Sequence, residues 1–134
     1  MTSHPTAPEL VRAVAQWLEE IRPQLDQRNA YLARVAGNAL AIVERELTSG
    51  AGAEAALAPK LAALLESTRA GLKACATGCE GDYAGLIRVL CERLRSGDVG
   101  IDTPGLVSFL REDTLARLAI DQPGYRHERQ KQVP

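Results

Sequence analysis

The 134-residue chain predicts an all-α protein, a helical bundle of about five helices around a central helix at residues 26–48. Three observations carry this expectation. Hydrophobic residues make up 46% of the chain and aromatic ones only 4%, and the apolar content rests on Ala, Leu and Val with few β-branched runs, which favours helix over sheet. Apolar positions recur at helical spacing in several stretches bounded by start and stop residues. Finally, Asp26–Thr48, wound at about 100° per residue, is apolar or small nearly all the way round. Leu32, Val35, Ala36, Ala39, Leu40, Ile42, Val43 and Leu47 form one broad apolar arc. Ala30, Ala33, Gly37 and Ala41 form a second ridge of small residues, where another helix backbone can approach closely. A surface helix needs one apolar stripe, so a helix with two such faces is expected at the centre.

In chain order, residues 1–5 read as a frayed arm. Thr6 and Glu9 have capping-box spacing, Thr6 able to accept from the amide three residues on and Glu9 able to reach back. Pro8 falls in the first turn, where its missing N–H is harmless. Leu10, Val11, Val14, Trp17, Leu18 and Ile21 share an arc of about 120°, with Glu9, Arg12, Gln16, Glu19 and Glu20 facing away. This helix should stop near Arg22, because Pro23 disfavours α geometry before it. The central helix follows, with Asp26 as N-cap and Gly50 as its stop.

Gly50-Ala51-Gly52-Ala53 reads as a flexible joint. Two readings compete in the alanine-rich run beyond it: a short helix starting near Ala58 with Pro59 in its first turn, or an earlier one starting near Ala53 that kinks. The first is preferred, with its firm part at Pro59–Lys73 and Leu61, Leu64, Leu65 and Leu72 facing inward. Ala74–Gly81 reads as a loop. Asp82 can cap a fourth helix at Tyr83–Ser96, ended by Gly97, with Tyr83, Leu86, Ile87, Leu90, Cys91 and Leu94 on one arc. Thr103 or Asp102 then caps a last helix with Pro104 at its first position, running to about Ile120. Residues 1–125 are expected to form a single helical domain, and the polar tail from Arg126 to be disordered.

Composition narrows the function classes. Sixteen basic against seventeen acidic residues leave a formal charge of −1, so no basic field is available to hold a nucleic-acid backbone. No stretch approaches the roughly 20 apolar residues of a membrane-spanning helix, and the opening residues lack the basic and apolar regions of a secretory signal. Three cysteines, at 75, 79 and 91, make no disulfide framework, and a cytoplasmic protein is the expectation. No metal or other cofactor is expected: the only histidines, His4 and His127, lie in the chain ends, and a structural zinc site needs four Cys or His ligands. Cys91 lies on the buried arc of the fourth helix, as core packing. No nucleophile–base constellation, phosphate loop or dinucleotide fingerprint is present, so an enzyme would have to work through carboxylates and arginines alone.

Two polar sets stand out. Tyr31, Arg34, Asn38 and Arg45 fall within about 60° of one another on the central helix. As a site, Arg34 and Arg45 would hold a carboxylate or phosphate with Asn38 orienting it. As structure, Asn38 would bond a neighbouring helix end or loop while the arginines pair with acidic residues elsewhere. Asp113 and Arg117, spaced i,i+4, intrude on the apolar arc of the last helix as a partly buried ion pair or a docking edge for another chain.

Three stretches together resemble a known family: His4–Val11, Arg34–Leu47 and Leu118–Tyr125, the middle one most specifically. The family consists of small bacterial proteins known only as a domain of unknown function. Ala51–Glu80 departs from its pattern by being longer. Members are commonly encoded beside, or joined to, aminoglycoside-phosphotransferase-like kinases and acyl-CoA dehydrogenases. The resemblance therefore implies a role beside such a kinase or dehydrogenase acting on acyl-CoA or hydroxyacyl substrates, and it supplies no catalytic residues. The expected function is a non-catalytic accessory or interaction protein that uses an exposed apolar patch or the Arg34/Asn38/Arg45 seam. The alternatives are a small acyl-group or anionic-ligand binder or enzyme built on that seam, and a purely structural helical homo-oligomer.

Overall fold

The structure, a computed structural model, describes residues 4–68 and 82–125. The expected end of the third helix with Leu72 and Lys73, the Ala74–Gly81 loop with Cys75 and Cys79, and the tail from Arg126 lie outside these residues. Every regular element among the described residues is helical: α1 (Ala7–Ile21), a 3-10 turn (Arg22–Gln24), α2 (Gln27–Arg45), a π turn (Glu46–Gly50), α3 (Ala51–Ser67), α4 (Tyr83–Ser96) and α5 (Leu106–Asp121). None of these helices is long and apolar enough to cross a membrane. The described residues divide into two compact units, 4–51 with 120–123, and 52–68 with 82–119 and 124–125.

The first unit is built on the hairpin of α1 and α2. α1 starts as expected, with the Thr6 amide and hydroxyl both donating to the Glu9 carboxylate, at 2.7 and 2.9 Å. It ends where Pro23 forces a 3-10 turn, and Leu25 becomes extended at φ −91°, ψ 153°. Asp26 then caps α2 by accepting from the amides of Arg28 (3.0 Å) and Asn29 (3.1 Å). Arg12 donates from Nε to Glu44 at 2.7 Å, and the Glu19 carboxylate lies beside Gly37, so the two helices run in opposite directions. α2 presents its small ridge to α1: Ala33 is buried and Ala30, Gly37 and Ala41 are half-buried. The broad apolar arc does not become the second covered face expected for α2. Leu32, Val35, Ile42, Val43 and Leu47 remain exposed, because the small ridge alone suffices for the close approach of α1.

Gly50 does not stop the helix. The helical backbone runs without break from Gln27 to Ser67, passing through the π turn and the supposed joint at Gly50–Ala53. α3 therefore begins at Ala51, not at Pro59, and Pro59 lies inside it. Tertiary packing overrides these local breakers: Leu57, Leu61, Leu64 and Leu65 recur on one helical face that starts before the proline, and all four are buried.

The second unit closes around that face. Leu57, Leu61, Leu64 and Leu65 of α3 cluster with Tyr83 and Leu90 of α4, Val99, and Leu106 and Phe109 of α5. Asp82 caps α4 through the Ala84 amide at 3.2 Å, and Gly97 ends it at φ +85°, a left-handed conformation that costs glycine nothing. The Val99 amide returns to the Arg93 carbonyl at 3.2 Å and the Val99 side chain is driven into the core. α5 begins at Leu106, two residues later than expected. Gly105 at φ +87° breaks the helical path after Pro104, and Thr103 spends its hydroxyl accepting from the Gly100 amide (3.0 Å) in the preceding turn.

Candidate functional site

The four polar residues singled out on the central helix part company. Arg45 is half-buried, and its Nε donates at 2.5 Å to the Ile120 carbonyl at the end of α5. A cation here satisfies a carbonyl that the helix itself leaves without a partner and complements the negative end of the helix dipole. Tyr31, Arg34 and Asn38 are exposed, with Arg34 and Asn38 one turn apart on the flank of α2 away from its apolar arc. Three of the four thus line an open helix surface, while the fourth is committed to the Ile120 carbonyl.

The Asp113–Arg117 pair forms as spaced, with Arg117 Nε donating to Asp113 Oδ2 at 2.8 Å. It is also larger than the spacing suggests, because the Tyr83 hydroxyl at the start of α4 donates to Asp113 Oδ1. Burial first, then the hydrogen bond and charge of Asp113, push the Tyr83 hydroxyl up to about 12. The hydrogen bond and charge of Asp113 likewise raise Arg117 above its ordinary value. Both Asp113 oxygens are engaged by donors and Tyr83 stays protonated at neutral pH, so the trio clamps α4 to α5 and offers no ready base. Tyr83 was legible only as an apolar member of the α4 arc. The signal for its role was chemical, since a buried phenol needs a partner for its O–H.

Arg93 is a contact the sequence reading did not single out. Its guanidinium donates to the Leu65 carbonyl and, at 2.8 Å, to the Thr68 hydroxyl, closing the carboxyl end of α3. Cys91 is half-buried and a free thiol. No group of three or more His, Cys, Asp or Glu that could hold a metal occurs among the described residues.

Large apolar residues also remain open on the first unit. Leu10, Val14 and Trp17 of α1 are about half exposed, as are the large residues of the α2 arc. Together they exceed the scattered single apolar residues of an ordinary surface. Comparison with curated proteins and with solved structures finds no match. A family model described as Domain of unknown function (DUF6285) matches residues 23–125, which takes in α2, α3, α4 and α5, and the chain belongs to that family.

Proposed function

We propose that the protein is a non-catalytic accessory protein that works through contacts made by the α1–α2 hairpin, beside a phosphotransferase-like kinase or an acyl-CoA dehydrogenase. One observation carries this reading: α2 is open along both flanks, with only Ala33 buried among its residues. Its apolar arc lies on one flank and Tyr31, Arg34 and Asn38 on the other. The kinase or dehydrogenase comes from the family resemblance. The polar trio in the second unit is satisfied within itself and supplies no competing catalytic centre.

The alternative, an anionic or acyl-group ligand held by the Arg34/Asn38/Arg45 seam, draws on the exposure of Arg34 and Asn38 at i,i+4 spacing. The commitment of Arg45 to the Ile120 carbonyl removes one of its two cations. Co-purification of the tagged protein from its host separates the readings. The wild type is expected to bring down a kinase or dehydrogenase, and Arg34→Ala/Asn38→Ala, folded by circular dichroism, to lose it. Recovery of no protein, together with saturable binding of an acyl-CoA that the same variant abolishes, would replace the accessory reading with the ligand-binding one.

A further inference from the structure

The apolar flank of the hairpin has a definite shape. α1 meets α2 through Pro8, Val11, Ala15 and Leu18, all half-buried, against the ridge at Ala30, Ala33, Gly37 and Ala41. On α1, Leu10, Val14 and Trp17 lie about 100° round from that contact in one sense of rotation. On α2, Leu32, Ala36, Ala39, Val43 and Leu47 lie about 125° round in the same sense of residue numbering. Because the helices run in opposite directions, equal rotation brings both sets to the same side of the hairpin. On α1, Arg12 and Glu19 fall on the other side, and Arg12 pairs with Glu44 of α2. One face of a two-helix layer is therefore continuous and apolar.

We propose that a second copy of this chain covers that face, so that two hairpins form an antiparallel four-helix bundle about a two-fold axis parallel to the helices. This rests on the reading of the hairpin as a contact element and assigns its apolar flank to self-association. The flank carrying Tyr31, Arg34 and Asn38 stays open for a different partner.

Two arguments select the second copy. The first is area. Leu10, Val14, Trp17, Leu32, Val43 and Leu47 are between 44% and 55% exposed. With residues of about 150–250 Å² each, and Ala36 and Ala39 beside them, the face offers roughly 600 Å². A standard interface uses about 800 Å² per partner. The second is register. Within the hairpin Arg12 sits level with Glu44 and Glu19 with Gly37. The proposed two-fold keeps these levels and sets α1 of one copy across α2 of the other. Trp17, the chain's only tryptophan, then meets Ala36 and Ala39, the small positions in the middle of the α2 arc. Val14 meets Val43, and Leu10 meets Leu47. A large residue is opposed by small ones and the rest are matched apolar pairs, as a self-complementary two-fold surface requires.

The test is sedimentation of the full chain across a dilution series, with Trp17 fluorescence as the local probe. A dimer at micromolar concentration is expected, with Trp17 emission moving to longer wavelength on dissociation. Val43→Glu should leave the helix signal intact and yield monomer. Ala39→Trp adds bulk at a position exposed within one copy, so it should weaken association at least about tenfold through overpacking that occurs twice in the dimer. Trp17→Ala in the same chain should restore it. A monomeric wild type overturns the proposal, as does a dimer indifferent to Val43→Glu and Ala39→Trp. A monomer that still brings down its kinase or dehydrogenase would sink the second copy alone and leave the accessory reading standing.

Discussion

The hairpin and the three-helix unit solve the same problem with different side chains. In the second unit, leucines on α3 meet Leu90, Val99, Leu106 and Phe109 in a closed cluster, and Leu61 is completely buried. In the first, α2 meets Val11 and Leu18 of α1 through alanines and a glycine, and most of the large apolar residues remain outside. Each buried methylene contributes about 0.8 kcal/mol, so an interface of small residues stabilises far less than one of leucines. The Arg12–Glu44 pair adds little, since exposed ion pairs are worth about 0–1 kcal/mol. Close helix approach is therefore not the same as a core. The second unit is organised to hold itself together, and the hairpin to be covered.

The largest expected effect tests that contrast directly. Leu61→Ala should cost about 2–5 kcal/mol in urea unfolding, the usual range for emptying a filled core site. Leu32→Ala, at a half-exposed position, should cost less than about 1 kcal/mol at concentrations too low for association. Equal costs would mean that the hairpin face is already covered within one copy.

The polar clamp gives the next effect and a pH signature. Tyr83→Phe strips Asp113 of one donor and should cost about 1.5–3 kcal/mol at neutral pH, as for hydrogen bonds to charged groups. The Tyr83 hydroxyl is raised from 10.0 to about 12 in the folded state, so it binds its proton more tightly there than in the unfolded chain. Its contribution is fully present below pH 10 and is lost as pH rises toward 12. The variant should lack this part of the alkaline loss in a pH series of thermal melts. The hairpin has the opposite signature. Hydrogen bonds from Thr6 lower Glu9 below 4.5, and those from Asn29 lower Asp26 below 3.8. These caps support α1 and α2 above the ordinary carboxylate values and fail as pH falls through the lowered ones, so Asp26→Ala should blunt the acid transition.

Two glycine substitutions give the smallest effects, of opposite sign. A Cβ at Gly97 meets open space, but φ +85° makes any L side chain strained, so Gly97→Ala should cost about 1–2 kcal/mol. A Cβ at Gly37 would meet the Glu19 carboxylate at an ordinary 3.8 Å within a regular helix. Gly37→Ala should therefore stabilise by about 0.5–1 kcal/mol. A loss at Gly37 in thermal melts would show the two helices closer than an alanine allows.

What the sequence by itself determined was local: the all-α class, the Thr6, Asp26 and Asp82 starts, the stop at Pro23, the turn at Gly97 and the Asp113–Arg117 pair. Each depends on a backbone preference or an i,i+4 neighbour, and such interactions act over one turn of chain. Tertiary structure decided the rest. The helix continues through Gly50, Gly52 and Pro59 because buried leucines on α3 outweigh the breakers' cost. Arg45 was legible as a cation beside Asn38, but only the fold brings the Ile120 carbonyl, far along the chain, to its Nε. Tyr83 and Arg93 likewise found their roles through partners on other helices. The pattern on α2 showed two apolar faces and could not say which would be covered. Burial of a helix face depends on the surface that meets it, and periodicity within one helix contains no record of that surface.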